Sequence, residues 1–358
     1  MSNNTLVKRK KSLNLGQYSF VLIFVALFLI YFFVNFKEGH SQLKWTGVTN
    51  VLRHSAIVGL LSYGMAMIII TGDIDLSIGA ILGCVSSFGC VIANLMLNKG
   101  VPTAVGVLAV VLFCLVGGTL LGFLNGVFVG KLKLPAFIVT LATQLIFRSV
   151  AQYSSRMLDP ALKGATANTY RLANGGIRDA MYGFGNGQIL KNSLALPITG
   201  IIFLLVGLLL IYVTTSTKYG KRLFAIGSNT KAAHMAGINV EWTRVSVFTL
   251  AGLLCGVGAT LWICQQGAVD PATTGVNNEM FGIAATVLGG IAMSGGKGKL
   301  FGVIFGAMSY TLIDKIIAAL NVDSLVNNSI KGLILLIAIV IQVLGPQIKN
   351  VVAAKKAK

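Results

Sequence analysis

Two apolar runs of membrane length meet at a pair of carboxylates. Ser55–Gly72 contains no charged residue and Leu76–Asn98 contains none. At their boundary lies Thr71-Gly72-Asp73-Ile74-Asp75-Leu76-Ser77-Ile78-Gly79. A hydrocarbon layer takes about 20 apolar residues of helix to cross and offers bare backbone no partner. The two runs therefore read as helices, and the nonapeptide as a break or turn between them. Carboxylates are costly in lipid, so acids at such a place face a partner group or a polar path.

The rest of the chain has the same character. Hydrophobic residues make up 55% of 358 and charged residues only 11%, against about 25% charged in a soluble domain. The net charge of +19 does not point to nucleic acid. Its Lys and Arg flank apolar runs, where cytoplasmic segment ends and anionic membrane lipid attract them. Cys84, Cys90, Cys114, Cys255 and Cys264 all lie in apolar segments without a CxxC pair and read as small apolar residues. His40, His54 and His234 are scattered, so no metal cluster is expected. Lys8-Arg9-Lys10-Lys11 precedes an apolar run to Phe36 that is too long for a signal-peptide core and closes on no small-x-small site. An uncleaved first membrane helix is expected.

Read with a 20-residue ruler, the sequence predicts an all-α polytopic membrane protein with about ten segments, some broken or partial: 18–36, 51–71, 75–97, 103–130, 134–153, 192–215, 243–266, 280–293, 300–320 and 325–345. They make one membrane domain, 18–345, between basic tails 1–17 and 346–358. The eighth segment is short for a crossing, and Gly289, Gly290, Gly295 and Gly296 follow it. Ten crossings put both termini on one side, and the larger share of the 29 basic residues falls there, which marks that side as cytoplasmic. Residues 154–191, rich in Gly, Asn and Tyr, are then an irregular extracytoplasmic loop. Residues 216–242 are a more ordered cytoplasmic loop, with a short helix over Lys231–Ala236 ended by Gly237. Gly117-Gly118, Gly122, Gly126 and Gly130 recur at about four residues, a face for close helix packing. Gly72–Gly79 and Gly295–Gly302 form a faint internal echo of the kind found in transporters built from repeats.

Four constellations invite a functional reading. In Gly72–Gly79 the glycines allow an unwound turn, and Asp73 or Asp75 can cap the next helix or face a path, with Ser77 beside them. In Leu134–Thr143, Pro135 suits a helix start, and Thr140, Thr143 and Gln144 are polar groups for helix contacts or for lining a path. In Tyr219–Asn239 a small-residue helix (Ala232, Ala233, Ala236) sits in a basic loop and suits either solvent or a groove on another protein. Gly289–Lys299 fails as a P-loop: Gly298 or Leu300 follows each Lys where Ser or Thr is required, and the glycine spacing is wrong. No HExxH and no GxSxG is present, so no enzyme is expected.

At these residues the chain resembles the membrane permease subunits of bacterial ATP-binding-cassette importers for sugars, the group of ribose, xylose, galactose and autoinducer-2 permeases. Thr71–Gly79 matches the family's Gly-x-Asp-Leu-Ser block, Pro135–Thr143 its Pro-Phe-Ile-x-Thr-Leu block, Gly227–Asn239 its Gly-Asn…Ala-Ala…Gly-Ile-Asn loop, and Glu279–Gly298 its glycine-rich block. The chain departs from the pattern at Lys231 (commonly Glu), at Met280-Phe281 after Glu279 (commonly Leu-Asp) and at Ala142 (commonly Gly).

The resemblance implies a path for a monosaccharide working by alternating access in the inner membrane. It implies two permease copies, a receptor that delivers sugar from outside, and two ATP-binding subunits that hold ATP and Mg, with no cofactor on this chain. It places Gly227, Asn229, Ala232, Ala233, Gly237 and Asn239 on the surface that couples to the ATPase. Gly72, Asp73, Asp75, Ser77, Gly79, Thr140, Thr143, Gln144 and Glu279 fall at the path or helix break. The alternative is an ion-driven secondary transporter using Asp73 or Asp75 as its proton or sodium site.

Overall fold

The computed structural model describes residues 19–37, 45–189 and 195–320, together with 326, 329–330, 332–333, 336–337 and 340. Helices α1 (Ser19–Lys37), α2 (Trp45–Ile70), α3 (Ile78–Asn98), α4 (Thr103–Gly126, continued by a π turn over Val127–Lys131) and α5 (Ala136–Met157) come first. Then follow α6 (Pro160–Lys163), β1 (Tyr170–Arg171), α7 (Gly176–Gly185), β2 (Gln188–Ile189), β3 (Leu196–Pro197) and α8 (Ile198–Ser216). The chain continues through α9 (Lys218–Ser228), α10 (Thr230–Met235), α11 (Val240–Gln266), β4 (Ala268–Val269), α12 (Asn278–Leu288) and α13 (Phe301–Ala319). The strands form two short antiparallel pairs, Tyr170 opposite Val269 and Gln188 opposite Pro197. The chain is an all-α polytopic membrane protein. Among the described residues six helices are long and apolar enough to cross: α2, α3, α4, α8, α11 and α13.

Helices α2 and α11 run through the centre and bury most of their length. The seam between α4 and α11 is made of glycine. A Cβ at Gly118 would overlap the carbonyl oxygen of Gly252, one at Gly122 that of Phe248, one at Gly126 that of Val245 and one at Gly130 that of Glu241. Gly252 and Gly256, themselves four apart, present the same bare face from α11. Lipid tails are as apolar as Leu, so close backbone contact rather than exclusion from water holds such helices together. Gly117 lies off this face, with Val85 as its neighbour at ordinary distance. The aligned face is therefore Gly118, Gly122, Gly126 and Gly130 alone.

One end of the bundle carries α9, α10 and the 289–298 turns; the other carries α6, α7 and the strand pairs. We call them the loop end and the cap end. At the cap end, the side-chain amide of Asn94 on α3 donates to the carbonyls of Leu162 (2.9 Å) and Arg171 (2.8 Å), and its oxygen accepts from Ala173 N–H (2.8 Å). Arg53 of α2 bonds Asn186.

Residues 154–191, expected as an irregular loop, hold two helices. Asp159 caps α6 by accepting from Ala161 N–H at 2.7 Å. The dense glycines masked the i,i+4 pair Ile177 and Met181, the buried face of α7. Helix α2 begins at Trp45 rather than 51, α3 at Ile78 rather than 75, and α8 at Ile198 rather than 192. The eighth segment is the partial helix α12, ended at Gly289. The tails 1–17 and 346–358 lie outside the described residues, and so does most of segment 325–345.

The seam makes a sharp contrast between adjacent residues. Gly118→Ala is expected to cost about 1–3 kcal/mol by overpacking, read as a lower unfolding temperature in detergent. Gly117→Ala is expected to stay within about 0.5 kcal/mol of the parent.

Candidate functional site

The stretch between α2 and α3 is an extended return. Thr71 closes α2 by donating its hydroxyl to Ile68 O at 2.7 Å, and Gly72 turns the chain with φ +88. Asp73 then meets Arg244, in the first turns of α11, in an ion pair at 2.9 Å. Asp75 is 1% exposed. Its Oδ1 accepts from both Ser77 N–H (2.7 Å) and Ser77 Oγ–H (2.6 Å), a turn ahead of α3; no side chain caps the first turn of that helix, so the capping expectation for Asp73 and Asp75 is not met. Ser77 Oγ in turn accepts from the Asn125 amide of α4 at 2.7 Å. Leu76 N–H donates to Thr140 Oγ1 of α5 at 3.1 Å, while Thr140 donates to Ala136 O at 2.8 Å. The first break is thus held by α4, α5 and α11 at once.

A second extended return follows α11. Gly267 ends that helix with φ +62, and β4 pairs with β1. Asp270 builds the next turn by accepting from Ala272 N–H and Thr273 Oγ–H, both at 2.9 Å. Gly275 (φ +75) and Asn277 (φ 64) then lead into α12, whose first turn carries Glu279. Arg148 of α5 donates Nη1 to the carbonyls of Pro271, Ala272 and Thr274, each at 3.2 Å.

The two returns meet. A Cβ on Gly79 would overlap the carbonyl of Gly275, and a Cβ on Gly275 that of Gly79. Helix α12 has 11 residues, about 16 Å of helix, half of a hydrocarbon core about 30 Å thick. It runs from this junction to the loop end, where Gly289 packs on Gly302. The junction therefore lies inside the bundle on the loop-end side: α3, which begins there, runs a further 21 residues to the cap end, and Asn125, which binds Ser77, is less than two turns from Lys131. The echo between 72–79 and 295–302 does not mark this pairing: the spatial counterpart of 71–77 is 268–277, while Gly295 lies against Gly72 at the loop end.

Several expected residues come together here: Asp75, Ser77, Gly79, Thr140, Gln144 and Glu279. Gln144 Nε2 donates to Glu279 Oε1 at 3.4 Å. Thr143 does not join them; it is buried and donates to Thr140 O of its own helix at 3.3 Å. Gly72 and Asp73 stand apart, at the loop end. Sequence reasoning missed Arg148 as a site residue. The signal was its spacing, since Thr140, Gln144 and Arg148 are four apart and share one stripe of α5. That stripe touches both breaks. Its polarity also explains why α5, with 22 residues, is not among the six apolar spans.

At the loop end the six expected surface residues divide. Ala232 and Gly237 (φ +78) are exposed. Asn229 and Asn239 act as helix caps, accepting from Ala232 N–H and Trp242 N–H, each at 3.0 Å. Ala233 corrects the surface reading, while Gly227 is half-buried and packs on backbone. Ala233 is 4% exposed. A Cβ on Gly227 would overlap the carbonyl of Ile70 and crowd Gly296 N. Gly296 N–H donates to that same Ile70 carbonyl at 2.9 Å, so the end of α9, the end of α2 and the 289–298 turns form one backbone contact. Met235, not anticipated, is 84% exposed on α10. A cavity of about 620 Å³ beside it is lined by Lys133, Thr230, His234, Glu241 and Arg244, among others. Glu241 pairs with Lys131 (3.4 Å) and Lys133 (3.0 Å). Among the described residues no group of His, Cys, Asp or Glu is arranged to hold a metal.

Known proteins share this chain along most of its length. It is 31% identical to the xylose transport system permease protein XylH of Escherichia coli over 92% of each chain. It is 29% identical to XylH of Haemophilus influenzae, over 92% of this chain and 96% of that one. It is 33% identical to the ribose import permease protein RbsC of Bacillus subtilis, over 89% and 91%. No solved structure matches it. Residues 47–343, which contain both breaks and the loop end, match the family described as branched-chain amino acid transport system / permease component, and the chain belongs to that family.

Proposed function

We propose that this chain is the permease subunit of an ATP-binding-cassette importer and forms the path for a monosaccharide of the ribose, xylose or galactose type. The observation that carries the reading is the meeting of two chain breaks inside the bundle, each paired with polar groups of α5. Irregular backbone within a membrane bundle is tolerated where it is buried in protein or lines a cavity, and transporters build their solute sites from such discontinuous helices. The sugar class rests on the xylose and ribose permeases that match over nearly the whole chain.

In this reading the loop end is cytoplasmic, both termini lie on that side, and 154–191 faces outward to a sugar-loaded receptor. Two ATP-binding subunits, carrying ATP and Mg, dock on α9 and α10 of two permease copies. Their closure moves α9. Gly227 touches Ile70 and Gly296 without an intervening side chain, so the displacement reaches the first break through α2 and the second through the 289–298 turns and α12. For the coupling to have a direction, the ATPase must contact α10 differently in its open and closed states. Ion-gradient transport is the weaker account: Asp73 is paired with Arg244 and Asp75 is engaged by Ser77.

Two experiments test this. The purified chain, reconstituted alone in vesicles, is expected to accumulate no D-xylose or D-ribose under a proton or sodium gradient. Accumulation is expected once its ATP-binding and receptor subunits and ATP are present. Gradient-driven uptake by the lone chain overturns the proposal. Second, Met235 is expected to act as an apolar anchor for the ATPase. Met235→Glu should weaken co-purification of the ATP-binding subunit about tenfold or more, the loss expected at a small hot spot.

A further inference from the structure

Three candidates outside the coupling surface invite attention: the buried thiols of α3, α4 and α11, a polar cavity of about 600 Å³ near Arg171 and Arg178 at the cap end, and the polar groups at the junction. The junction carries the argument furthest, because two of its buried groups have capacity left over. Glu279 is 7% exposed. Its Oε1 accepts from Gln144, and its Oε2 is buried with no hydrogen-bond partner. Arg148 uses Nη1 on the three carbonyls of the second break, and its Nη2 is likewise buried and without a partner. The two opposite charges attract across the junction without touching, since no ion pair joins them directly among the described residues.

A buried unpartnered carboxylate oxygen and guanidinium nitrogen are an expense that a purely structural contact would shed. Gln144 and Glu279 would hold each other equally well as two amides, and the capping role of a first-turn acid does not need the second oxygen to be dry. The leftover pair has a chemical match. Neighbouring hydroxyls on a sugar ring each donate and accept, so one donates O–H to a carboxylate oxygen while the next accepts from a guanidinium N–H. The surroundings are shaped to admit it. Gly79 faces Glu279 without a side chain, and a Cβ there would sit 2.7 Å from Oε2. Arg148 stands on α5, which packs on α3 and the end of α4 and leaves its outer face exposed. A sugar would reach the two groups only with α5 displaced outward, which would part Arg148 from the 271–274 carbonyls.

We infer that Glu279, Arg148 and Gln144 form a hydroxyl-reading site on the path, where the carboxylate takes one sugar hydroxyl and the guanidinium the next as the sugar passes the junction. The inference rests on the proposed role as a sugar path and adds to it a site with its own selectivity, separate from that of the receptor.

The test uses the complete complex in proteoliposomes. Uptake of D-ribose, D-xylose and D-galactose is measured, and then uptake of each monodeoxy analogue of the sugars carried. Glu279→Gln keeps the shape and removes the charge. It is expected to lower uptake of the parent sugar at least about tenfold, the worth of one charge-assisted hydrogen bond. For the analogue lacking the hydroxyl that Glu279 reads, the wild-type complex is already slow and the variant slows it no further. The receptor's preference is common to both complexes and cancels from this comparison. Equal slowing of every sugar by one factor, or uptake at the wild-type rate, overturns the site and leaves the path reading standing. If Glu279→Gln fails to assemble, Gln144→Ala, half-buried on α5, carries the same comparison with the same two outcomes. A wild-type complex that moves none of the three sugars removes the path reading, and the site with it.

Discussion

A backbone amide in lipid must be bonded inside the protein, and this chain leaves its helices twice where lipid would not forgive it. Both departures survive because each is covered by the other and by α5, with α4 and α11 also holding the first. The peptide groups of 71–77 and 268–277 are taken up by Asp75, Thr140 and Arg148, and by turns built on Asp270. Gly79 and Gly275 let the two backbones touch. With helices of full length the same sequence would be a closed bundle. The unwound stretches supply polar groups at a depth where an unbroken helix shows only side chains.

Holding two such breaks in place requires a rigid frame, and the frame is the pair α4 and α11. Their glycine seam fixes the distance between Asn125, which binds Ser77, and Arg244, which binds Asp73. The seam's cost is conformational freedom in the unfolded chain. Its return is contact close enough that dispersion between backbones replaces the exclusion of water, which is absent in lipid. The first break is thus tied to a close-packed frame, whereas Gln144 and Arg148 stand on α5, which is exposed along one face.

Most of the architecture was legible as apolar length. The runs at 51–71, 75–97, 103–130 and 243–266 lie within a few residues of α2, α3, α4 and α11. The early start read for α3 has a local cause: Asp75 and Ser77 build a turn ahead of Ile78 and not the first turn of the helix. The 154–191 stretch reads as loop because its glycines hide a two-residue apolar face. At the site, Asp75 and Ser77 could be found from their neighbours, since the turn they make spans only two residues. Glu279 and Gln144 could be named but not joined, because 135 positions separate them. Arg148 went unnoticed because a lone Arg near a helix end resembles a topology signal. Gly227 and Ala233 were assigned to a surface through the family resemblance, yet a small residue serves a docking face and a tight core equally well, and only packing decides.

Consider finally the contact of Gly227 with Ile70 and Gly296. Side chains between moving parts act as springs, since rotamers absorb small displacements before anything beyond them shifts. Here main chain bears on main chain, and nothing compliant intervenes. On the proposed coupling, a displacement applied at the loop end is divided between two arms of the bundle at the same instant, so both chain breaks share one clock.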